Sequence, residues 1–215
     1  MKIVFYDTET SGLPVRRYEY GRLHVTQPYI VQLAWLIYDT EKHNIQKYSR
    51  YVKLSNSIEI SAKSIEIHGI TREILQEKGQ HIIDVLTEFR ASTKHCELFV
   101  AHNVDFDKTL LEKECERNDL QCVFDKNVWH YCTMKSNIER CGIIKEYKGK
   151  PSFKFPTLLE LHNHVFPNDS NIKKCQLHNA YNDVLLTFRC YFQTVKSTDV
   201  KEKHADIFDS LYESI

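Results

Sequence analysis

The sequence lacks an excess of charge of either sign. Its 215 residues include 29 lysines and arginines against 29 aspartates and glutamates, so the formal net charge is zero. Proteins that coat duplex nucleic acid usually carry a large positive excess, because neutralising phosphates supplies their affinity. Nonspecific binding to duplex nucleic acid through the overall charge of the chain is therefore not expected. Any contact with a polyanion must come from local positive clusters or from bound metal.

The sequence also lacks paired cysteines and long apolar runs. Its seven cysteines are an odd number, and no two have C-x-x-C spacing. This argues against a disulfide framework and predicts an intracellular location. No stretch reaches the ~20 apolar residues that span a bilayer, and the apolar start meets Asp7 too soon for a signal peptide. We therefore expect neither secretion nor a membrane partner.

The alternation of apolar and polar residues predicts an α/β fold. We expect strands over residues 2–6, 29–38, 46–54, 98–101 and 128–132. The second and third strands form a hairpin through about Asp39–Asn44. Helical patterns cover residues 60–94, 105–117, 157–165 and 178–195. This order indicates a mixed sheet with helices on both faces.

One domain accounts for residues 1–197, and residues 198–215 form a C-terminal tail. The tail has a narrow apolar stripe at helical spacing, made of Ile207, Phe208, Leu211, Tyr212 and Ile215. We expect a terminal helix that packs on its own domain. A helix that docks on a partner is the alternative.

The first candidate site is the run Asp7-Thr8-Glu9-Thr10 at the end of the first strand. Residues two apart in a strand point to the same face, so Asp7 and Glu9 project side by side. Adjacent carboxylates repel each other, and a divalent cation with oxygen ligands, such as Mg²⁺ or Mn²⁺, relieves that cost. The alternative is a strand end with solvated acids.

Two further acidic runs follow later in the chain. His102 to Asp107 opens a helix after the fourth strand, which is expected beside the first. Asp107 would then lie near the first acids, whereas Asp105 is a helix N-cap or a surface residue. His178 to Asp183 starts the last long helix. We expect His178 at the loop–helix junction and Asp183 pointing into the site.

Together these runs resemble the DnaQ-like exonuclease family in its histidine-containing, DEDDh branch. They match the family patterns D-x-E-(T/S), H-N-x-x-F-D and H-x-A-x-x-D. Asn179 occupies the place where a sister branch has tyrosine. Two weaker segments also resemble the family, namely His68-Gly69-Ile70-Thr71 and Phe155-Pro156-Thr157-Leu158-Leu159-Glu160-Leu161.

The resemblance implies an RNase H-like fold with strand order 3-2-1-4-5 and strand 2 antiparallel. It also implies a 3′–5′ exonuclease that releases nucleoside 5′-monophosphates by a two-metal mechanism. Two Mg²⁺ or Mn²⁺ ions would be held by Asp7, Glu9, Asp107 and Asp183. His178 would be the general base, since an imidazole can accept a proton from water near neutral pH.

The substrate implied by the resemblance is the 3′ end of single-stranded DNA or a frayed duplex, with RNA as the alternative. Glu9 and the backbone of Thr8 and Thr10 would hold the terminal 3′-hydroxyl. The nucleobase pocket would be shaped by Leu13, His68 and Phe106, and Asn103 would organise the loop or touch the strand backbone. Core packing is the alternative for Leu13 and Phe106. A polymerase or repair partner would be a separate chain.

Two segments combine basic residues with aromatic ones, which suits single strands. Residues 16–24 carry Arg16, Arg17, Arg22 and His24 around two tyrosines, and residues 140–154 carry Arg140, Lys145, Lys148, Lys150 and Lys154. Solvated surface loops are the alternative for both segments.

Two other functions compete with the enzyme. A retired nuclease fold would bind nucleic acid without cleaving it. A zinc site could use His162 and His164 with Cys132 and Cys141, although these residues have no paired ligand spacing. The sequence does not decide the oligomeric state.

Overall fold

A five-stranded mixed sheet forms the centre of the computed structural model, which describes residues 1–125, 127–147, 149–169, 172 and 177–212. Its strands are β1 (Lys2–Thr10), β4 (Ile30–Asp39), β5 (Asn44–Tyr51), β6 (Leu98–Ala101) and β7 (Trp129–Cys132). The order is β5-β4-β1-β6-β7. β4 is antiparallel to both β1 and β5, whereas β6 is parallel to β1 and β7. The expected order and antiparallel second strand are confirmed.

The first strand is longer than the sequence pattern predicted. It was expected over residues 2–6 and continues to Thr10, because Thr8 and Glu9 still pair with Leu33 and Gln32 of β4. The acidic run therefore lies within the sheet rather than beyond it. All ten residues of β4 are buried, as expected for a central strand that is covered on both faces.

Helices cover the two faces of the sheet. They are α1 (Ala62–His68), α2 (Arg72–Lys78), α3 (Ile82–Thr93), α4 (Val104–Arg117), α5 (Ile138–Cys141), α6 (Leu158–Val165), α7 (Ala180–Lys196) and α8 (Asp209–Tyr212). The helical pattern of residues 60–94 is divided into three helices. Gly69 and Gly79 follow the first two, and Gly69 adopts the left-handed φ of 71° that glycine tolerates best.

Each face of the sheet has its own hydrophobic core. Val4 and Tyr6 of β1 pack with α3 and α4 on one face. Ile3 and Phe5 pack with α7 on the other face. Alternate residues of β1 thus enter different cores, which is the period-2 geometry of a strand.

The tail lies against the second core. Short 3₁₀ helices cover Val200–Glu202 and Ala205–Phe208, and α8 follows them. Ile207, Phe208 and Leu211 are buried with α7. Ile215 of the predicted stripe lies outside the described residues.

Two β-hairpins project from this body, in the segments for which surface loops were the alternative. The first pairs β2 (Val15–Glu19) with β3 (Arg22–Thr26), and the second pairs β8 (Ile144–Tyr147) with β9 (Lys150–Phe153). Every residue of the four strands is exposed. Their segments coincide with the two runs of basic and aromatic residues.

The described cysteines, all but Cys175, are free thiols. Among the described residues, none of the helices has the length and apolar character needed to cross a membrane.

Candidate active site

Three carboxylates meet at the end of β1. Asp7 and Glu9 project from the face of β1 that Ile3 and Phe5 share, toward α7. Asp183 lies in the first turn of α7. One oxygen from each of the three carboxylates lies within 4.8 Å of the other two. The topology therefore brings together acids that are 176 positions apart, from Asp7 to Asp183.

The fourth carboxylate reaches the cluster from the other face. Asp107 is buried in the first turn of α4. Its Oδ1 accepts hydrogen bonds from the Thr8 backbone N–H at 3.0 Å and from the Thr8 hydroxyl at 2.7 Å. Both donors of Thr8 thus fix the position of Asp107. Thr8 itself lies between Asp7 and Glu9, so one strand segment organises three of the four acids.

Withdrawal from water and mutual repulsion dominate the electrostatics. Burial, followed by the charges of neighbouring carboxylates, raises the pKa of Asp7 well above its usual range. The same causes raise the pKa of Glu9 to about 8. Burial raises the pKa of Asp107 to about 7, although the Thr8 hydrogen bonds oppose it. Burial also raises the pKa of Asp183 to about 7.

This arrangement fits a divalent cation. Oδ1 of Asp183 is buried and has no hydrogen-bond partner among the described residues. An unsatisfied carboxylate oxygen beside two further carboxylates is costly without a compensating positive charge. Mg²⁺ and Mn²⁺ prefer ligands of this kind. Asp7, Glu9 and Asp183 offer the ligand oxygens, and Asp107 lies close enough to repel their charges.

A buried glutamine in β4 anchors the helix that carries Asp183. Gln32 is opposite Glu9 in the sheet register, and its Oε1 accepts the N–H of Ala180, the first residue of α7, at 3.2 Å. Its amide also donates to the Ser49 hydroxyl at 3.1 Å. Gln32 is not among the residues that the sequence predicted for the site. The available signal was an uncharged polar residue inside an otherwise apolar strand.

His178 stands at the rim of the site. The last helix begins at Ala180 rather than at residue 178, so His178 lies two residues before it on the connecting segment. Its side chain is exposed and its φ is 65°, in the left-handed region. His178 therefore occupies the expected loop–helix junction, and its ring is open to solvent.

The segment after β1 is tied to His68. Its Nδ1 accepts the N–H of Ile70 at 3.0 Å, so Nε2 carries the proton and donates to the Thr10 carbonyl at 3.1 Å. Burial lowers the pKa of His68, and the charge of His178 adds to this effect. Leu13 follows on the turn and is 80% exposed, which rules out core packing for it.

The loop that opens α4 holds the remaining predicted residues. Asn103 occupies the N-cap position with a left-handed φ of 74° and makes no capping side-chain bond. Phe106 is partly buried against the first core. Asp105 is exposed and paired with Lys135, so it is a surface residue and not the helix cap. His102 connects the loop to Thr133 and to the Pro156 carbonyl, each at 3.0 Å.

The zinc alternative is wrong. Among the described residues, Asp7, Glu9 and Asp183 form the one group of histidine, cysteine and acidic side chains that could hold a metal ion. His162 is buried and hydrogen-bonded to Asn163 and Arg189. Cys132 accepts the backbone N–H of Lys135.

The mixed sheet, its strand order and its flanking helices define an α/β fold of the RNase H-like class. Solved structures of Exonuclease I share this fold. The E. coli enzyme in complex with a dA16 oligonucleotide is 19% identical with a TM-score of 0.60. The enzyme from Methylocaldum szegediense is 19% identical with a TM-score of 0.62. Each match covers 97% of this chain but 42% of the other chain.

A family model identifies the chain more closely. The RNase_T model, described as exonuclease, matches residues 4–191. The chain therefore belongs to the RNase_T exonuclease family, in agreement with the DnaQ-like resemblance of its sequence. No curated protein sequence matches the chain significantly.

Proposed function

We propose that this chain is a divalent-metal-dependent 3′–5′ exonuclease of the DEDDh type, which removes nucleoside 5′-monophosphates from single-stranded DNA. The observation that carries the proposal is the cluster of Asp7, Glu9 and Asp183, with oxygens within 4.8 Å of one another. Asp107 is fixed beside the cluster by Thr8.

The four carboxylates would hold two Mg²⁺ or Mn²⁺ ions. When bound, such ions offset the phosphate charge, activate water and stabilise the leaving oxygen of an in-line displacement. The raised pKa values of Glu9 and Asp183, about 8 and about 7, suit this role. These groups would otherwise hold protons near neutral pH, and cation binding must displace those protons.

His178 is proposed as the general base. An imidazole nitrogen takes the proton of the attacking water and passes it to bulk solvent, because the side chain is exposed at the rim. Glu9 would receive the terminal 3′-hydroxyl. Since both donors of Thr8 bind Asp107, Thr8 acts by holding that acid.

The terminal nucleobase is proposed to lie among Leu13, His68 and Phe106. The 80% exposure of Leu13 leaves its side chain available for contact with a base. His68 holds the Thr10 carbonyl and so fixes the turn from which Leu13 projects. Asn103, whose side chain makes no capping bond at the start of α4, is proposed to contact the backbone of the bound strand.

DNA is favoured as the substrate by the structural relatives. The E. coli Exonuclease I structures that share the fold include complexes with dA16 and dT13 oligonucleotides. Single strands fit better than intact duplex, since the whole chain carries no net positive charge.

The test is digestion of 5′-labelled single-stranded DNA, duplex DNA and RNA with Mg²⁺, Mn²⁺ or EDTA. We expect a ladder shortened from the 3′ end, metal dependence and the fastest cleavage of single-stranded DNA. His178→Asn should lower kcat about 10²–10⁴-fold with little change in KM. Asparagine is chosen because it tolerates the left-handed backbone at this position.

The control is Lys42→Gln in the turn between β4 and β5, at the end of these strands remote from Glu9, which should cleave like the wild type. Faster cleavage of RNA would reassign the substrate. Absence of metal-dependent cleavage on all three substrates would leave the binding-module alternative.

A further inference from the structure

The β2–β3 hairpin is rooted beside the carboxylate cluster. Ser11 follows the end of β1, and its N–H donates to the Tyr29 carbonyl at 2.8 Å. The Tyr29 N–H donates back to the Ser11 hydroxyl at 3.0 Å. This reciprocal pair closes the base of the hairpin two residues after Glu9.

Arg117 at the end of α4 reinforces this base. Its guanidinium donates to the Pro28 carbonyl at 2.9 Å and to the Gln27 carbonyl, and it lies 4.0 Å from the centre of the Tyr29 ring. The strands are therefore held at their base and exposed along their length. A five-residue strand extends about 15 Å from such a root.

The two faces of the hairpin differ in chemistry. The register pairs Arg17 with His24 and Glu19 with Arg22, which puts charged side chains on one face. Tyr18 pairs with Leu23 on the other face, beside Arg16 and Val25. The Tyr18 ring is 78% exposed. Cationic groups and an exposed ring within one short ribbon match the phosphates and bases of a single strand.

The base of the β8–β9 hairpin is also connected to the site, through the segment that leads into α4. Lys154 at its base donates its N–H to the Ile143 carbonyl at 2.8 Å. Pro156, two residues further, accepts a hydrogen bond from His102 just before α4. Lys145, Tyr147 and Lys150 share one face of this hairpin.

We propose that the β2–β3 hairpin, assisted by the β8–β9 hairpin, grips the single-stranded nucleic acid that leads into the active site. Charge complementarity selects this occupant. Residues 15–26 contain three arginines and one glutamate in a chain whose net charge is zero. The neighbouring cluster would repel phosphates, and these exposed cations offset that repulsion. The inference rests on the proposed function, because it assigns the path of that substrate.

The test compares a hairpin variant with a charge-matched control. The first variant is Arg16→Gln, Arg17→Gln and Arg22→Gln. The control is Lys2→Gln, Lys42→Gln and Lys94→Gln, which removes three exposed cations near the start of β1, at the other end of that strand from Glu9. Binding of fluorescein-labelled dT15 and dT3 is measured by anisotropy in EDTA, where no cleavage is expected, at several salt concentrations.

The hairpin variant should bind dT15 at least tenfold more weakly, and the control less than twofold. The salt slope of dT15 binding should fall by about 2, since each phosphate contact on a single strand contributes about 0.7. Binding of dT3, which is too short to fill both the site and the hairpin, should be unchanged. Tyr18→Ser should weaken dT15 binding about fivefold without changing the slope.

Wild-type affinity for dT15 in the hairpin variant, or no dT15 binding by the wild-type chain, would overturn the proposal. Circular dichroism and Tm measurements confirm that the exposed substitutions leave the fold intact. If the arginines control dT15 binding but the wild-type chain cleaves nothing with Mg²⁺, the grip stands and the proposed exonuclease activity fails.

Discussion

At the scale of single residues, Asp183 shows how the fold supports an unfavourable charge. Its carboxylate is partly buried, one oxygen has no partner among the described residues, and Asp7 and Glu9 lie beside it. The cost is tolerated because the packing of α7 against the sheet fixes the residue in place. Repulsion between neighbouring buried carboxylates, with the raised pKa values that it causes, is typical of functional sites.

Asp183→Asn should separate stability from activity. A carboxyl whose pKa is raised to about 7 adds stability below its ordinary pKa near 4, and this is lost as pH rises through 7. In EDTA at pH 8 the variant should therefore be more stable by about 1 kcal/mol, or about 2–4 °C in Tm. At pH 5 the gain should be smaller, because the carboxyl of the folded chain is then protonated. Nuclease activity should fall about 10³-fold or more.

Differential scanning fluorimetry at both pH values, with and without Mn²⁺, measures these changes. Mn²⁺ should raise the Tm of the wild-type chain at pH 8 more than that of the variant. An equal Tm difference at pH 5 and pH 8 would contradict the assigned pKa shift.

Single residues also mark the limit of prediction for the site. The sequence could predict the group of Asp7, Glu9 and Asp183 because their spacing follows family patterns, and the structure brings these three acids together. The bond between Thr8 and Asp107 could not be read from the sequence, because it joins a strand and a helix whose bonded residues are 99 positions apart in the chain. Gln32 and Arg117 were missed because each acts on the backbone of a distant segment.

At the scale of elements, the buried strands were predictable and the projecting ones were not. The apolar run of β4 carries a strong signal because both of its faces are covered. The Val15–Glu19 and Ile144–Tyr147 strands bury nothing and so lack the apolar alternation on which strand prediction depends. In the structure, Tyr20 and Gly21 have φ of 50° and 74° and form the tight turn that joins β2 to β3.

The connection between β6 and α4 should be sensitive to acid through His102. Nε2 donates to the Pro156 carbonyl, so neutral Nδ1 accepts the Thr133 hydroxyl. Burial lowers the pKa of His102 to about 4. A histidine with a lowered pKa adds stability above 6.5, and this is lost as pH falls from 6.5 through 4. The full effect is up to about 3 kcal/mol.

His102→Gln removes the titrating group and keeps a polar side chain. We expect the stability difference between wild type and variant, measured by urea unfolding, to shrink from pH 7 to pH 4. The comparison with the variant isolates His102 from the acidic cluster, whose raised pKa values act in the opposite direction. A difference that stays constant over this range would refute the lowered pKa.

At the scale of the whole molecule, one sheet separates two cores, and the tail packs with the second. Arg189 of α7 links this region, since it binds Asp199 at the base of the tail and Asp169 after α6. The sequence indicated the apolar stripe of the tail. It could not indicate this ionic link, because nothing in the chain order relates Arg189 to Asp169.

Phe208→Ala should destabilise the entire domain. Phe208 is fully buried and lies 6.3 Å from Phe188 of α7, measured between ring centres. Removing it leaves a cavity in the core that supports α7, at a cost of about 3–5 kcal/mol. Urea unfolding measures this loss, with Val195→Ala on the exposed side of α7 as the control. A loss below about 1 kcal/mol would contradict a stabilising role of the tail in the core of residues 1–197.

The alternation of β1 has a consequence for how the chain tolerates change. Odd positions direct Asp7 and Glu9 toward α7, while the even position of Thr8 holds Asp107 on α4. A single-residue insertion between Phe5 and Asp7 would turn Asp7 and Glu9 toward α4 and Thr8 toward α7. The proposed nuclease activity should then be lost, although all four acids and the histidine remain in the chain. The number of residues in this part of β1 is therefore as important for the site as the identity of its acids.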